Sequence, residues 1–255
     1  MESCVEMGKI IRNELIGPAI YSMTVQCPQI AGAAVPGQFV HVRVAKTTAP
    51  LLRRPISLAG ADPKTGEILL IYRVVGVGTQ WMAELKAGDE LDCLGPIGTA
   101  FTQTKGKTLL VGGGVGIAPM VYLAEQLLPE QTTVLIGGRN EAELFWKDLF
   151  HGPELVLTSD DGSIGHKGFT VDVMPQLIEE KKFERIYVCG PTIMMKKAAF
   201  IAQEYGIACE VSLEEYMGCG TGGCLGCSID GRDGKRYKVC HDGPVFPGEE
   251  VFFHA

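Results

Sequence analysis

Four cysteines lie close together near the C-terminal end of the sequence, in a stretch dense in glycine. Their spacing is C-x4-C-x2-C, then twelve residues and a fourth cysteine. The candidate ligands are Cys219, Cys224, Cys227 and Cys240. This spacing is typical of a [2Fe–2S] cluster, which needs four thiolates directed at one point. The glycines allow the backbone to turn around a cluster and to direct N–H groups at its sulfurs.

Structural zinc and disulfides are the alternatives for these cysteines. Zinc ribbons usually pair one C-x2-C with another, whereas here the fourth cysteine stands alone. Disulfide frameworks suit small secreted chains, and this chain has 255 residues and an acidic start without the basic region of a signal peptide. We therefore favour iron–sulfur. A cluster moves single electrons, so the rest of the chain should hold a group that exchanges electrons with it.

A glycine-rich stretch, Gly112–Pro119, follows an apolar run, and its residues 114–119 read G-x-G-x-x-P. Glycine there allows a tight turn and lets backbone N–H groups approach a pyrophosphate at a helix N-terminus. Proline is acceptable in a first helical turn, where its missing N–H costs nothing. The candidate nucleotide-binding residues are Gly112, Gly114, Gly116 and Pro119. Cys189-Gly190-Pro191 also lies between a predicted strand and a helix, and by itself is a routine turn.

A third group of candidates lies earlier in the chain. The run Leu52–Ser57 places two arginines beside a proline and a serine, and arginine binds phosphate with two hydrogen bonds. Further on, Ile71-Tyr72-Arg73 precedes a glycine turn that ends in Gly78-Thr79. The alternative for the arginines is a solvated basic turn before a strand.

The elements that must position these residues change near residue 105. Residues 8 to about 100 predict short strands and turns, hence an antiparallel β-barrel. In one strand, Val40, Val42 and Val44 share a face, with His41 and Arg43 on the other. After residue 105 the pattern predicts a parallel α/β sheet. Its predicted strands are 108–112, 134–138, 154–158, 186–190 and 208–213, and its predicted helices are 117–128, 142–150, 171–180 and 193–205. A cysteine-rich segment follows and ends in a hairpin-like stretch around 245–253.

Composition excludes several classes of protein. A hydrophobic content of 46% with 21% charged residues is that of a soluble globular protein. The net charge of −7 argues against nucleic acid as a partner, and glycines and a proline break the longest uncharged run, so no membrane span is expected. Reduced thiols point to the cytoplasm. The five histidines show no ligand spacing, so each is expected at the surface or hydrogen-bonded in the core.

Taken together, these residues resemble the ferredoxin-reductase-like superfamily, which joins a flavin-binding β-barrel to an NAD(P) domain. Arg54-Pro55-Ile56-Ser57 matches its flavin motif. With the four-cysteine loop added, the chain is similar to the electron-transfer subunits of class 1B dihydroorotate dehydrogenases over nearly its whole length. The implied organisation is an FAD-binding barrel over 1–102, an NAD-binding α/β domain over 103–213 and a [2Fe–2S] segment over 214–255.

The resemblance implies an NAD-dependent oxidoreductase subunit in de novo pyrimidine biosynthesis. Electrons from dihydroorotate, oxidised by an FMN-containing catalytic partner, would pass through [2Fe–2S] and FAD to NAD+, and no side chain would act as acid or base. The implied assembly is a heterotetramer with two copies of each subunit. The implied FAD-binding residues are Arg54, Pro55, Ile56, Ser57, Ile71, Tyr72, Arg73, Gly78 and Thr79. The implied NAD-binding residues are Gly112, Gly114, Gly116, Pro119, Asp160, Cys189, Gly190 and Pro191.

Two positions depart from the superfamily pattern. Many members place an aromatic residue at the position of Ile56, to stack on the flavin. NADP-using members carry serine–arginine after the third strand of the nucleotide domain, where this chain has Ser159-Asp160. A carboxylate there would repel a 2′-phosphate and could accept hydrogen bonds from ribose hydroxyls. We therefore predict NAD rather than NADP.

Two other functions use similar parts. The first is the NAD(H)-binding subunit of a ferredoxin:NADP transhydrogenase or of a cytoplasmic hydrogenase; some of these relatives replace a cluster cysteine with aspartate, so four cysteines favour dihydroorotate. The second is a non-enzymatic iron–sulfur or flavin redox sensor, which has no need of the nucleotide turns.

Overall fold

The computed structural model describes residues 3–45 and 47–252, which cluster into two compact units. The first unit contains the residues up to 100, together with 214–228 and 237–244. The second contains 101–213, 229–236 and the residues from 245 onward. The cysteine-rich segment is therefore divided between the two units. Among the described residues, no helix is both long enough and apolar enough to cross a membrane.

The first unit is built on a closed antiparallel barrel with the strand order β1-β2-β5-β4-β3-β6. Its strands are β1 (Cys4–Gly17), β2 (Ile20–Gln26), β3 (Phe39–Arg43), β4 (Arg54–Asp62), β5 (Glu67–Arg73) and β6 (Glu90–Ile97). Apolar residues at alternate positions of β2, such as Met23 and Val25, are fully buried. Two helices accompany the strands, α1 (Pro28–Ala33) and α2 (Val77–Glu84). The buried carboxylate of Glu6 accepts hydrogen bonds from the N–H groups of Gln29 and Ile30, which fixes the start of α1 to β1.

The second unit is built on a seven-stranded sheet, within the described residues, with the order β10-β9-β8-β7-β11-β12-β15. Its strands are β7 (Thr108–Gly113), β8 (Thr132–Gly138), β9 (Glu154–Ser159), β10 (His166–Lys167), β11 (Arg185–Cys189), β12 (Ala208–Ser212) and β15 (Val245–Pro247). The accompanying α-helices are α3 (Ile117–Gln126), α4 (Thr170–Lys181), α5 (Thr192–Glu204) and α6 (Gly248–Val251). The central strands pair in parallel and are buried on both faces, as helices on both sides require. The predicted barrel followed by a parallel α/β sheet is confirmed.

Three local predictions were wrong. The stretch at 245 does not form a hairpin, because β15 pairs with β12 as an antiparallel edge strand and α6 follows it; Phe253 lies outside the described residues. The two-stranded sheet of the cysteine-rich segment lies earlier, between β13 (Ser228–Asp230) and β14 (Arg236–Lys238). The predicted helix at 142–150 is instead a 3-10 segment, Glu141–Leu149, with non-helical backbone at Leu144.

The third wrong prediction concerns His41, which was expected on the exposed face of β3 or in a hydrogen-bonded site. The side chains of Val40, His41 and Val42 are all fully buried. The face that carries His41 is covered by residues distant in the sequence, which the strand pattern does not reveal.

Candidate functional site

The two predicted FAD motifs meet at the start of α2. Arg54 begins β4, and Gly78 lies in the first turn of α2. A Cβ atom at position 78 would lie 2.8 Å from Cζ of Arg54, so the guanidinium occupies the space that the missing side chain leaves. Arg54 also donates a hydrogen bond to the carbonyl of Leu52, which holds the guanidinium near this turn.

Thr79 shapes the turn before α2 with its own side chain. Its hydroxyl oxygen accepts hydrogen bonds from the N–H groups of Val75 at 3.0 Å and Gly76 at 3.3 Å, and the hydroxyl donates to the Gly76 carbonyl at 3.1 Å. Apart from its two chain neighbours, no described residue has an atom within 4 Å of a Cβ built on Gly76, so the turn is open on that side. An open helix N-terminus beside an arginine fits a pyrophosphate such as that of FAD.

The remaining predicted FAD residues lie on β4 and β5. Pro55, Ser57 and Arg73 are half-buried, whereas Ile56 and Ile71 are almost fully buried. The Nε atom of Arg73 is buried and has no hydrogen-bond partner among the described residues. Because a buried unpaired guanidinium nitrogen is costly, this atom is suited to a ligand oxygen.

Tyr72 is the predicted FAD residue whose side chain is already engaged. Its ring is 1% exposed and stacks on Tyr21 with ring centroids 5.8 Å apart. Its hydroxyl donates to Oδ1 of Asn13 at 3.0 Å, and burial raises its pKa. Any contact of Tyr72 with a flavin would therefore come from its backbone.

The two predicted NAD turns contact each other at the carboxyl ends of β7 and β11. β7 ends at Gly113, a 3-10 turn follows over Gly114–Gly116, and α3 then begins. A Cβ atom on Gly116 would lie 2.5 Å from the backbone nitrogen of Gly190. The turns approach this closely because position 116 carries no side chain.

The space around these turns fits a phosphate group. Within the part of the chain that the structure describes, no atom outside the two neighbouring residues lies within 4 Å of a Cβ built on Gly114, so this turn is open at the N-terminal side of α3. Pro119 lies in the first turn of α3, as predicted, and is buried. Cys189 is buried with its sulfur 3.5 Å from the carbonyl oxygen of Ser212, and Pro191 is exposed.

Asp160 is exposed beyond the carboxyl end of β9, where its N–H donates to the Gly138 carbonyl at 3.1 Å. Arg139, which follows β8, is close enough to interact electrostatically with Asp160. The Arg139 guanidinium is held by Glu143: Nε donates to Oε1 at 2.7 Å, and the backbone N–H of Arg139 donates to Oε2 at 3.0 Å. This hydrogen-bonded pairing raises the pKa of Arg139, and the Asp160 charge adds to it.

The sequence interpretation missed Arg139 and Glu143. The signal was present, because the carboxyl ends of neighbouring parallel strands meet at one edge of a sheet. An arginine directly after β8 therefore belongs beside the residue after β9.

Backbone N–H groups point at three of the four predicted cluster ligands. The sulfur of Cys219 accepts from Thr221 at 3.4 Å, and that of Cys240 accepts from Gly222 at 3.2 Å. The sulfur of Cys227 accepts from the N–H of Cys240 at 3.4 Å. Such donors stabilise thiolates and are what a [2Fe–2S] site requires around its sulfurs.

The cysteines lie close enough to act on one another in pairs: Cys224 acts on the pKa of Cys219, and Cys227 acts on the pKa of Cys240. Anywhere in the described part of the chain, no three histidine, cysteine or acidic side chains form a ready-made metal-binding group. Burial works to raise the pKa of Cys219, but the N–H groups of Thr221 and Cys224 outweigh it and lower the pKa to about 6. Burial and the neighbouring Cys227 raise the pKa of Cys240 to about 12. The residue types, their pairing and the N–H donors fit a cluster.

His41 lies beneath this loop. A Cβ atom on Gly220 would lie 3.1 Å from Cε1 of His41, so the loop backbone rests on the imidazole. Burial lowers the pKa of His41, and the positive charge of Arg53 lowers it further. Neither ring nitrogen has a hydrogen-bond partner among the described residues.

Comparison with known proteins finds two family models that match parts of this chain. Residues 214–252 match the iron–sulfur cluster binding domain of dihydroorotate dehydrogenase B, and residues 110–199 match the oxidoreductase NAD-binding domain. The dihydroorotate dehydrogenase B (NAD(+)) electron transfer subunit of Desulforamulus reducens is 40% identical over 254 residues, which cover 96% of this chain and 97% of that protein.

The chain belongs to the family of dihydroorotate dehydrogenase B electron transfer subunits.

Two solved structures share the fold of this chain. An NADH-dependent reduced ferredoxin–NADP oxidoreductase, studied for flavin-based electron bifurcation, superposes with a TM-score of 0.87 at 35% identity, over 96% of this chain and 90% of that chain. A ferredoxin NADP+ reductase from Neisseria gonorrhoeae superposes with a TM-score of 0.65 at 18% identity, over 79% of this chain and 92% of that chain, and shares the fold. The predicted resemblance is confirmed.

Proposed function

We propose that this chain carries electrons from a dihydroorotate-oxidising catalytic subunit to NAD+ in pyrimidine biosynthesis. The observation that carries the proposal is the placement of the cluster loop. Residues 214–228 and 237–244, which include all four cysteines, belong to the same compact unit as the barrel with its flavin motif. A loop of this kind packed on a flavin barrel is suited to exchanging electrons with that flavin.

We assign residues to the groups as the sequence predicts. Residues 1–102 form the FAD domain, 103–213 the NAD domain and 214–255 the cluster segment. Arg54 and the turn before α2 hold the FAD pyrophosphate, and Gly114 and the turn before α3 hold that of NAD. When these groups are bound, the cluster supplies one-electron transfer, and the flavin converts it to hydride exchange with the nicotinamide. The side chains bind and orient, and none acts as acid or base.

The partner is an FMN-containing catalytic subunit, in an assembly of two copies of each chain, in the cytoplasm. We propose that it docks over the cluster loop, because electrons must cross there. Two large side chains of this segment support the choice: Tyr216 is 93% exposed and Leu225 is 65% exposed. Tyrosine is enriched among the residues that dominate the binding energy of protein interfaces, and exposed large apolar side chains that lie together mark interaction surfaces.

A second candidate function is the NAD(H)-binding subunit of an electron-bifurcating transhydrogenase. It is favoured by the likeness to the NADH-dependent reduced ferredoxin–NADP oxidoreductase over nearly the full length. The greater identity to the subunit from Desulforamulus reducens and the presence of four cysteines favour dihydroorotate.

Reconstitution distinguishes the two. The chain is co-expressed with a class 1B dihydroorotate dehydrogenase catalytic subunit, and dihydroorotate-dependent NAD+ reduction is measured. We expect NADH formation that needs both chains and is lost in Cys224→Ser. A folded, cluster-loaded complex without turnover, combined with NADH-dependent transfer of electrons from reduced ferredoxin to NADP+, would favour the second candidate.

A further inference from the structure

His41 occupies an unusual place for a histidine. It lies in the middle of β3 and is fully buried, yet neither Nδ1 nor Nε2 makes a hydrogen bond within the described part of the chain. The carbonyl groups of Arg53 and Cys219 lie near the ring without hydrogen-bond geometry. A neutral imidazole carries one N–H donor and one acceptor, and leaving such groups unpaired in the interior is unfavourable.

The surroundings of His41 join the two predicted cofactor sites of the first unit. On the strand side, His41 pairs in register with Pro55 of the flavin motif. On the other side, its ring lies against Gly220, whose φ of +71° suits glycine and brings the loop backbone onto the imidazole.

The strand around His41 is held in place by Arg53. This guanidinium donates to the His41 carbonyl at 3.1 Å and to Oδ2 of Asp92 at 2.9 Å. The ring therefore sits on a fixed support, with its polar edge toward the cluster loop.

We propose that His41 is a positioning residue for the iron–sulfur cluster, which supports the Cys219–Gly220 end of the loop and supplies an N–H donor that raises the cluster's reduction potential. The inference rests on the proposed function, since it requires the cluster. Reduction adds negative charge to the cluster, and a buried N–H donor beside it stabilises that charge. A donor that is unpaired in the protein alone is available for this role.

Two variants of the full chain separate packing from hydrogen bonding. His41→Phe keeps a planar ring against Gly220 but removes the donor, whereas His41→Gln keeps a neutral N–H donor. The cluster midpoint potential and electron paramagnetic resonance g values are measured in an anaerobic redox titration, and the flavin midpoint is measured in the same samples. We expect a more negative cluster midpoint and altered g values in His41→Phe, a smaller shift in His41→Gln, and an unchanged flavin midpoint.

His241→Phe and His166→Phe are the matched controls. The His241 ring also contacts a loop glycine, Gly222, but it is exposed and its Nδ1 is 2.8 Å from Oδ1 of Asp242. Solvent should screen its effect, so we expect a smaller shift than in His41→Phe. His166 is exposed on β10 of the second unit, and its replacement should leave the cluster midpoint unchanged.

The outcomes are distinguishable. A His41→Phe protein with full iron content and a wild-type midpoint would overturn the role of His41 and leave the proposed function intact. Loss of iron in His41→Phe with FAD still bound, and retention of iron in His41→Gln, would support the positioning role. A wild-type protein that holds no cluster would overturn both the role of His41 and the proposed function.

Discussion

At the turn before α2, Gly78 lies against the guanidinium of Arg54, whereas at the turn before α3, Gly116 lies against the backbone of Gly190. Both turns open a helix N-terminus, and we assign a pyrophosphate to each. In the barrel turn the space beside the glycine is filled by the charged side chain of Arg54, which can move. The sheet turn uses backbone alone, so its shape depends on the absence of a side chain at a single position.

This difference predicts the largest effect at Gly116. In Gly116→Ala the new methyl group would meet backbone atoms of Cys189 and Gly190 at 2.5–2.6 Å, and the backbone cannot move aside without shifting both turns. We expect the distortion to weaken the binding free energy of NAD+ by about 3 kcal/mol, which is about 100-fold in affinity, with FAD content unchanged. Calorimetric titration with NAD+ measures the dissociation constant. The control is Gly32→Ala, whose new methyl group meets no described atom within 4 Å. NAD+ binding by Gly116→Ala as tight as that of the wild type would contradict the role given to the close backbone contact.

Arg54→Ala should have the next largest effect. It removes a charge-assisted contact worth about 2 kcal/mol, so FAD should bind about 30-fold more weakly while NAD+ binding is retained. The FAD dissociation constant of the deflavinated and reconstituted protein is the measurement. Arg12→Ala, on the exposed part of β1, serves as the control. Equal FAD affinity in the two variants would remove Arg54 from the site.

Gly78→Ala should cost less than Gly116→Ala although both glycines are tightly packed. The atoms that the new methyl group meets belong to the flexible end of Arg54, which can shift. We expect the binding free energy of FAD to weaken by about 1 kcal/mol, which is about fivefold in affinity. A loss in FAD affinity as large as the loss in NAD+ affinity of Gly116→Ala would show that the two turns do not differ in the way described.

The smallest expected effect concerns the choice between NAD and NADP. Glu143 holds the guanidinium of Arg139 beside Asp160, and Glu143→Gln would release it toward a 2′-phosphate. Because the Arg139 side chain is exposed, we expect only about a threefold rise in the NADPH to NADH ratio of kcat/KM for flavin reduction. Arg139→Ala in the same protein should cancel the rise, and Glu180→Gln, which removes the charge of a surface carboxylate that accepts a hydrogen bond from Gln176, should not produce it.

The sequence predicted those features of the molecule that depend on residues close together in the chain. The order of barrel and sheet, the glycine turn before α3 and the N–H-lined cysteine loop follow from residues close together in the chain. The burial of His41 does not, because Gly220, which rests on its ring, lies far away in the sequence. The same reason applies to β15, whose partner β12 lies more than thirty residues earlier.

The candidate site was predictable to a similar extent. Gly114 and Gly116 lie in the expected turn before α3, since the shape of such a turn depends on the backbone conformation of its own residues. The resemblance implies Tyr72 as an FAD-binding residue, and the sequence does not reveal that its side chain is hydrogen-bonded to Asn13 across the barrel. The placement of Arg139 and Glu143 beside Asp160 follows only when the carboxyl ends of β8 and β9 are treated together, as one edge of the sheet.

An anaerobic NADH titration of the purified chain, followed by visible spectroscopy, tests the central claim most directly. The account predicts that NADH first bleaches the flavin absorbance and then the cluster absorbance, because NAD, FAD and [2Fe–2S] sites all lie on this one chain. An iron–sulfur spectrum that NADH leaves unchanged would contradict the account and favour a redox sensor that does not use NADH.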